Sequence, residues 1–452
     1  MTESEAAFSH VLKTLEDDRQ DLIDLCITIG NLPDYSGHER ASGEAVANWL
    51  LDAGIEAWLQ YLSEDSVNAV GVLRGVDGRN GNGRSLIFNA HIDTQGGVPA
   101  GGEEAEQRIR GAWLDGDLLY GQGLANDKAQ LAAEMLAMRA IKKAGVHLTA
   151  DLFVTGVAQE TSAPFDTEPS FSTWSGVGPK ISQIREGFGC RWLIEHGVVA
   201  DYALVGEITD FTVSVAQAGY LRLRIAVPGT VAYTPALARG ADGTGSPNPF
   251  ERAGHLIVAI EQWARNYEQE YRHEFWGGTI IPKAQIYEIQ SSGPAWTEAN
   301  DHCLIFLDVR LVPNAKPTEI QHSLKMAMRE TGMACEITPY DYKRGFIAEG
   351  ADPLIGALKD AHQRVFNNEP EFANSIVLSM WRDANAFNEA GIPAIGYGPK
   401  SEDPKSGTGL AGLAGVPRPI AVSDLVDTAK VYALTAMNIC GIDTTAVDTA
   451  NE

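Results

Sequence analysis

The chain reads as an α/β protein: a mainly parallel sheet with helices on both faces, plus an inserted two-layer α+β unit. Two observations predict the first part and one the second. Short apolar runs without polar alternation recur at Ser85–Ala90, Leu152–Ala158, Tyr202–Gly206 and Ala394–Tyr397, as strands buried on both faces require. Between them stand segments of helical periodicity, over 5–30, 39–54, Asp127–Ala144 and Val422–Met437. Near residue 211 the pattern changes. Alternating runs, Phe211–Gln217 and Tyr220–Val227, flank Ala218-Gly219 as a hairpin would. A helix over Phe250–Tyr271, a strand at His302–Leu311, a helix over Thr318–Thr331 and a strand at Cys335–Tyr340 complete a β-β-α-β-α-β unit. The expected division is 1–211 with 343–452 in the main unit, and 212–342 in the inserted one. Residues 161–187 and 239–249 read as surface loops rich in Ser, Thr, Pro and Gly.

At 452 residues, two or three domains are expected. The balance of 35 basic against 60 acidic side chains leaves a formal charge of −25, which argues against a nucleic-acid partner or an anionic membrane surface. The N-terminal segment lacks the basic and apolar regions of a signal peptide, and no apolar run approaches a membrane span. Cys26, Cys190, Cys303, Cys335 and Cys440 are scattered and never form a CxxC pair, so reduced, buried thiols are expected. The cytoplasm is the expected compartment.

Acid and imidazole groups follow three of the apolar runs: His91 with Asp93, Glu160, and Glu207. In an open parallel sheet, ligands bind beyond the carboxyl ends of the strands, so these separated segments are expected to converge. Taken singly, each has a plainer explanation, as a structural histidine or a solvated glutamate.

The segments also carry a resemblance. Asn89-Ala90-His91-Ile92-Asp93-Thr94 is similar to the GHxDT motif of the aminoacylase-like zinc peptidases and deacylases, the family of carboxypeptidase G, succinyl-diaminopimelate desuccinylase, acetylornithine deacetylase and the carnosine dipeptidases. The run Tyr120–Lys128 resembles its second motif, YGRGxxDxKG, Val157–Thr161 its glutamate pair, and Asp201–Glu207 its DxxxxGE motif. Asp383–Pro399 resembles its DAxxF…GIP…GP motif, and Asp308-Val309-Arg310 its lid DxR. The resemblance implies a zinc-peptidase-like fold whose inserted unit is a lid and dimerisation domain, a small-molecule substrate, and a homodimer or higher homo-oligomer.

Departures from the family pattern are as informative. The bridging Asp of the two-zinc site is Asn126 here, the general-base Glu is Gln159, a lid His is Tyr233, and residues 400–419 contain none of the expected final ligand His. An amide cannot become anionic, so the remaining charge suits one divalent ion, Zn²⁺ or Mn²⁺. The resemblance assigns it to His91, Glu207 and the Asn126 oxygen, with Glu160 also of ligand type. Proton transfer falls to Glu160, because Gln159 cannot do it. Asp127 is next, against a plain helix-capping role. Asp93 is expected to orient His91. Tyr233 is the candidate donor to an oxyanion, against a packed lid tyrosine. Arg310 and Asp383 are the candidate substrate-binding residues, Arg310 against an ion pair with Asp308. Trp174, Trp296 and Trp381 are candidates to frame an aromatic substrate. The expected function is hydrolysis of a C–N bond, amide or arylamine, in a small carboxylated molecule by one metal-activated water. A nitroanthranilate-type aromatic aminohydrolase lies within that expectation, and a non-catalytic small-molecule binding protein is the alternative.

Overall fold

Residues 86–91 and 152–157 form strands in which every residue is buried, as mainly apolar runs without polar alternation favour. They lie at the centre of a six-stranded sheet of spatial order Glu56–Tyr61, Val67–Leu73, Leu152–Val157, Leu86–His91, Tyr202–Gly206, Ala394–Tyr397. The last four run parallel, and Val67–Leu73 is antiparallel to both neighbours. The computed structural model describes residues 3–32, 34–76, 83–94, 111–161, 186–231, 233–237, 246–291, 301–400 and 419–443. Residues 162–185, 238–245 and 401–418, from the expected loops and the segment lacking histidine, lie outside the described residues, as do Trp174 and Trp296.

Alternation along one strand shows the helices covering both faces. Ile87 packs in a core with Phe153, Val205, Leu193 and Phe387, the last two from the Phe188–Glu195 and Ala384–Glu389 helices. Phe88 points the other way, its ring 5.4 Å from that of Tyr432 in the Val422–Cys440 helix. No helix among the described residues is long and apolar enough to cross a membrane. The helix expected from Asp127 starts instead at Ala129, after an irregular turn Leu124–Lys128 in which Asn126 and Asp127 have non-helical backbone angles. A buried anchor is the reason: the Lys128 ammonium pairs with Asp34 and donates to the Ile29 carbonyl at 3.1 Å.

The chain divides into two compact units, Met1–Val215 with Ala348–Phe372 and Arg382–Glu452, and Ala216–Ile347 with Ala373–Trp381. The second has an antiparallel sheet of order Ala284–Gln290, His302–Leu311, Gly219–Pro228, Glu336–Lys343. Helices Pro249–Glu270 and Pro317–Arg329 cover it, burying Leu256, Ile260, Trp263 and Leu324 against Leu223, Ile225 and Ile305. The expected hairpin at Ala218-Gly219 does not form. Ala216–Gln217 pairs with Phe346–Ile347, and the chain runs on into the next strand. Close backbone approach sets this: a Cβ on Gly219 would stand 2.3 Å from the Lys343 carbonyl oxygen.

Candidate active site

Parallel strands open their carboxyl ends on one edge of the sheet. His91 ends its strand in register with Val157, and Ala158, Gln159 and Glu160 follow directly. Glu207 comes one residue after the neighbouring strand Tyr202–Gly206. Asp127 enters from the turn before Ala129–Lys143, and Asp383 from the N-terminus of Ala384–Glu389.

His91 is 1 % exposed. Its Nδ1 lies 2.9 Å from the backbone carbonyl oxygen of Asp93, an atom that only accepts, so Nδ1 carries the donated proton. The opposite nitrogen, Nε2, stands 3.4 Å from Asp127 Oδ2 and 3.6 Å from Glu160 Oε2. Neither Nε2 nor Asp127 Oδ2 has a hydrogen-bond partner among the described residues. Burial works against an imidazolium here, but Asp127, Glu160 and Asp93 together hold the His91 pKa well above its ordinary value. Burial first, then the charge of Glu207, raises Asp127 well above the usual carboxylate range. Glu160 is likewise raised well above it, by burial first; His91 opposes the shift, while Asp383 and Glu207 add to it. Asp383, whose Oδ2 accepts from Asn89 at 3.2 Å, is pushed to about 7, chiefly by burial.

The Asp93 carboxylate does less for His91 than expected. Its Oδ1 is 3.4 Å from Nδ1, behind the 2.9 Å contact of its own main chain. The carboxylate instead accepts from the amides of Glu160 at 3.0 Å and Thr161 at 2.8 Å, and from the Thr161 hydroxyl at 2.5 Å. Asn126 is exposed, while its neighbour Asp127 is fully buried. Glu207 faces a residue that sequence reasoning missed: Arg382 Nε stands 3.4 Å from Glu207 Oε2, and Arg382 Nη2 donates to the Ile208 carbonyl at 3.0 Å. The one available signal was its position immediately before Asp383 in the fifth motif.

Gln159 turns away from the imidazole. Its backbone is left-handed (φ 55°), its amide nitrogen donates to Glu39 Oε1 at 3.2 Å, and its side chain donates to Ser66 Oγ at 3.0 Å. Ser66 in turn donates to Glu39 Oε2 at 2.5 Å. Glu39, another missed residue, is fully buried, and burial followed by the charge of Asp93 pushes its carboxyl to about 8. A carboxyl whose folded pKa exceeds its ordinary value of 4.5 binds its proton more tightly when folded. The resulting stabilisation is complete below about pH 4.5 and is lost as the pH rises to about 8. Glu39→Gln should therefore gain stability relative to the unsubstituted chain between about pH 5 and about pH 8. Urea melts at the two pH values check this, and an unchanged difference would show that Glu39 does not titrate in that window.

Imidazole nitrogen and carboxylate oxygen are donors that Zn²⁺ and Mn²⁺ accept. Ligands about 2.1 Å from a tetrahedral ion stand about 3.4 Å apart, which is the His91 Nε2–Asp127 Oδ2 separation. The orphaned pair thus fits a divalent ion. No group of three or more His, Cys, Asp and Glu side chains among the described residues is already arranged to hold one, so the fit lies in this pair and in the donor types around it.

Residues 87–438, a span that takes in the whole of this constellation except Glu39 and Ser66, match the sequence profile of Peptidase family M20/M25/M40. The chain belongs to this peptidase family. Two N-formyl-4-amino-5-aminomethyl-2-methylpyrimidine deformylases are similar to it. The one from Halalkalibacterium halodurans is 22% identical over 437 residues, covering 89% of this chain and 92% of its own length. The one from Bacillus subtilis is 21% identical over 417 residues, covering 86% and 89%. The fold is shared with aminopeptidase PepT from Bacillus cereus (TM-score 0.64, 17% identity, 94% of this chain and 99% of that one). Human carnosine dipeptidase 1 is also similar in fold (TM-score 0.66, 13% identity, 96% and 98%).

Three residues singled out on the peptidase-family pattern lie in the second unit. Arg310 makes the ion pair that was its plainer explanation, with Nε 3.1 Å and Nη2 3.0 Å from Asp308 Oδ2. Tyr233 is exposed. Trp381 is buried edge-on against Tyr220, their ring centroids 6.2 Å apart.

Proposed function

We propose that the protein is a metal-dependent hydrolase of a C–N bond, amide or arylamine, in a small carboxylated molecule. One observation carries this: His91 Nε2 faces two buried carboxylates, 3.4 Å from Asp127 Oδ2 and 3.6 Å from Glu160 Oε2, and neither Nε2 nor Asp127 Oδ2 has a hydrogen-bond partner among the described residues. Buried carboxylates converging on one imidazole favour a positive charge among them, which a divalent ion would supply. Membership of a peptidase family, and relatives named as deformylases, support a C–N bond as the target.

A divalent ion bound at His91 would polarise a substrate carbonyl and ease deprotonation of a water. Glu160 is the most open of the converging carboxylates, its side chain 12% exposed against 6% for Glu207. It is therefore placed to accept a proton from water and return it to the leaving nitrogen. Asp93 holds Glu160 in place through the amides of Glu160 and Thr161, and its carbonyl fixes the His91 tautomer. Tyr233 and Arg310 are proposed from their motif positions alone, as oxyanion donor and partner of a substrate carboxylate. The second unit is proposed to form a homodimer surface.

Since Glu207 is paired with Arg382 and Asn126 is exposed, the chain should hold at most one tight divalent ion. Metal analysis of a dialysed size-exclusion peak, with light scattering on the same peak, is expected to give one equivalent of Zn²⁺ or Mn²⁺ per chain and a dimer mass. Two equivalents would overturn the single-ion proposal. Absence of both metal and turnover across formamides and arylamines would favour the non-catalytic binding protein.

A further inference from the structure

We propose that Asp127, rather than Asn126, is the carboxylate that holds the divalent ion together with His91, so that the anionic ligand sits one residue further along the chain than the family pattern implies. The inference rests on the metal-dependent function proposed above.

The turn Leu124–Lys128 decides which of the two side chains goes inward. Asn126 is extended (φ −148°, ψ 86°) and exposed, whereas Asp127 (φ −127°, ψ 17°) is fully buried. Residues on either side hold that arrangement. Lys128, 1 % exposed, is fixed by Asp34 and the Ile29 carbonyl. The Gln130 side-chain amide donates to the Ala125 carbonyl at 2.9 Å and to Asp127 Oδ1 at 3.2 Å. One Asp127 oxygen is thereby tethered. The other, Oδ2, has no hydrogen bond among the described residues and stands 3.4 Å from a His91 Nε2 that likewise has none there.

Capping does not account for Asp127. Lys128 is the N-cap of the Ala129–Lys143 helix, which has no side-chain cap bond. Competing ligands are weaker candidates: Glu207 is engaged by Arg382, and Glu160 is further from Nε2 and more open to solvent.

Calorimetric titration of the metal-stripped full chain with Zn²⁺ and with Mn²⁺ tests this, using Asp127→Asn, Asn126→Ala and His91→Ala. Asp127→Asn and His91→Ala should each weaken binding by about 100-fold or more, beyond the roughly 10–100-fold typical of groups that only support a ligand. Asn126→Ala should leave affinity within about threefold, below that supporting-group range. Thermal melts without metal serve as the folding control. Asp127→Asn keeps the shape of the side chain, so a cooperative melt without metal shows that the variant is folded. If Asn126→Ala loses the ion and Asp127→Asn keeps it, the inference is overturned while the metal-dependent function stands. If the unsubstituted chain binds neither ion, both fall.

Discussion

Arg382→Met is expected to lower the stability of the fold by about 3–5 kcal/mol, the cost of leaving one member of a buried ion pair without its partner. The pair is buried on both sides, with side-chain exposures of 5% for Arg382 and 6% for Glu207. The same substitution also strips the Ile208 carbonyl of its donor. The double variant Arg382→Met, Glu207→Gln should recover most of the loss, because position 207 then carries no charge left without its partner. Denaturant unfolding of the two variants measures this difference. A single variant within about 1 kcal/mol of the parent, the level of a surface ion pair, would mean that the contact carries no structural weight.

The second large effect is on turnover. Glu160→Gln should lower kcat by about 10²–10⁴-fold, the usual contribution of a positioned general base. Glutamine keeps the shape of the side chain, and the backbone amide at this position still donates to Asp93. The fold and the His91–Asp127 pair should thus survive, and metal content should be unchanged. The comparison is made with whichever formamide or arylamine the parent hydrolyses, and turnover equal to the parent's would remove Glu160 from the reaction.

Most of the framework was legible in the sequence because burial of whole strands leaves a local mark. Leu86–His91, Leu152–Val157 and Tyr202–Gly206 are mainly apolar, without polar alternation, and the site's polar residues lie at their carboxyl ends or just after them. Other parts leave no such mark. Ala284–Gln290 is an edge strand whose outward residues include Tyr287 and Ile289, so its alternation does not separate apolar from polar sides. Glu39 and Arg382 read as ordinary surface charges, since among their partners are residues far away in the chain, Gln159 for one and Glu207 for the other. Asn126 and Asp127 are adjacent and chemically alike. Which of them faces inward depends on the anchoring of Lys128 by Asp34, a contact across 94 positions that no local pattern contains.

The Asp93 carboxylate ties the loop after one strand to the loop after the next. Its two oxygens take up the main chain at Glu160 and Thr161, while its carbonyl grips the imidazole of His91. A molecule that pushed Glu160 outward would drag on Asp93 and twist the His91 ring with it. Imidazole and glutamate therefore move as one mechanical part, and a ligand that displaces either must meet the stiffness of both.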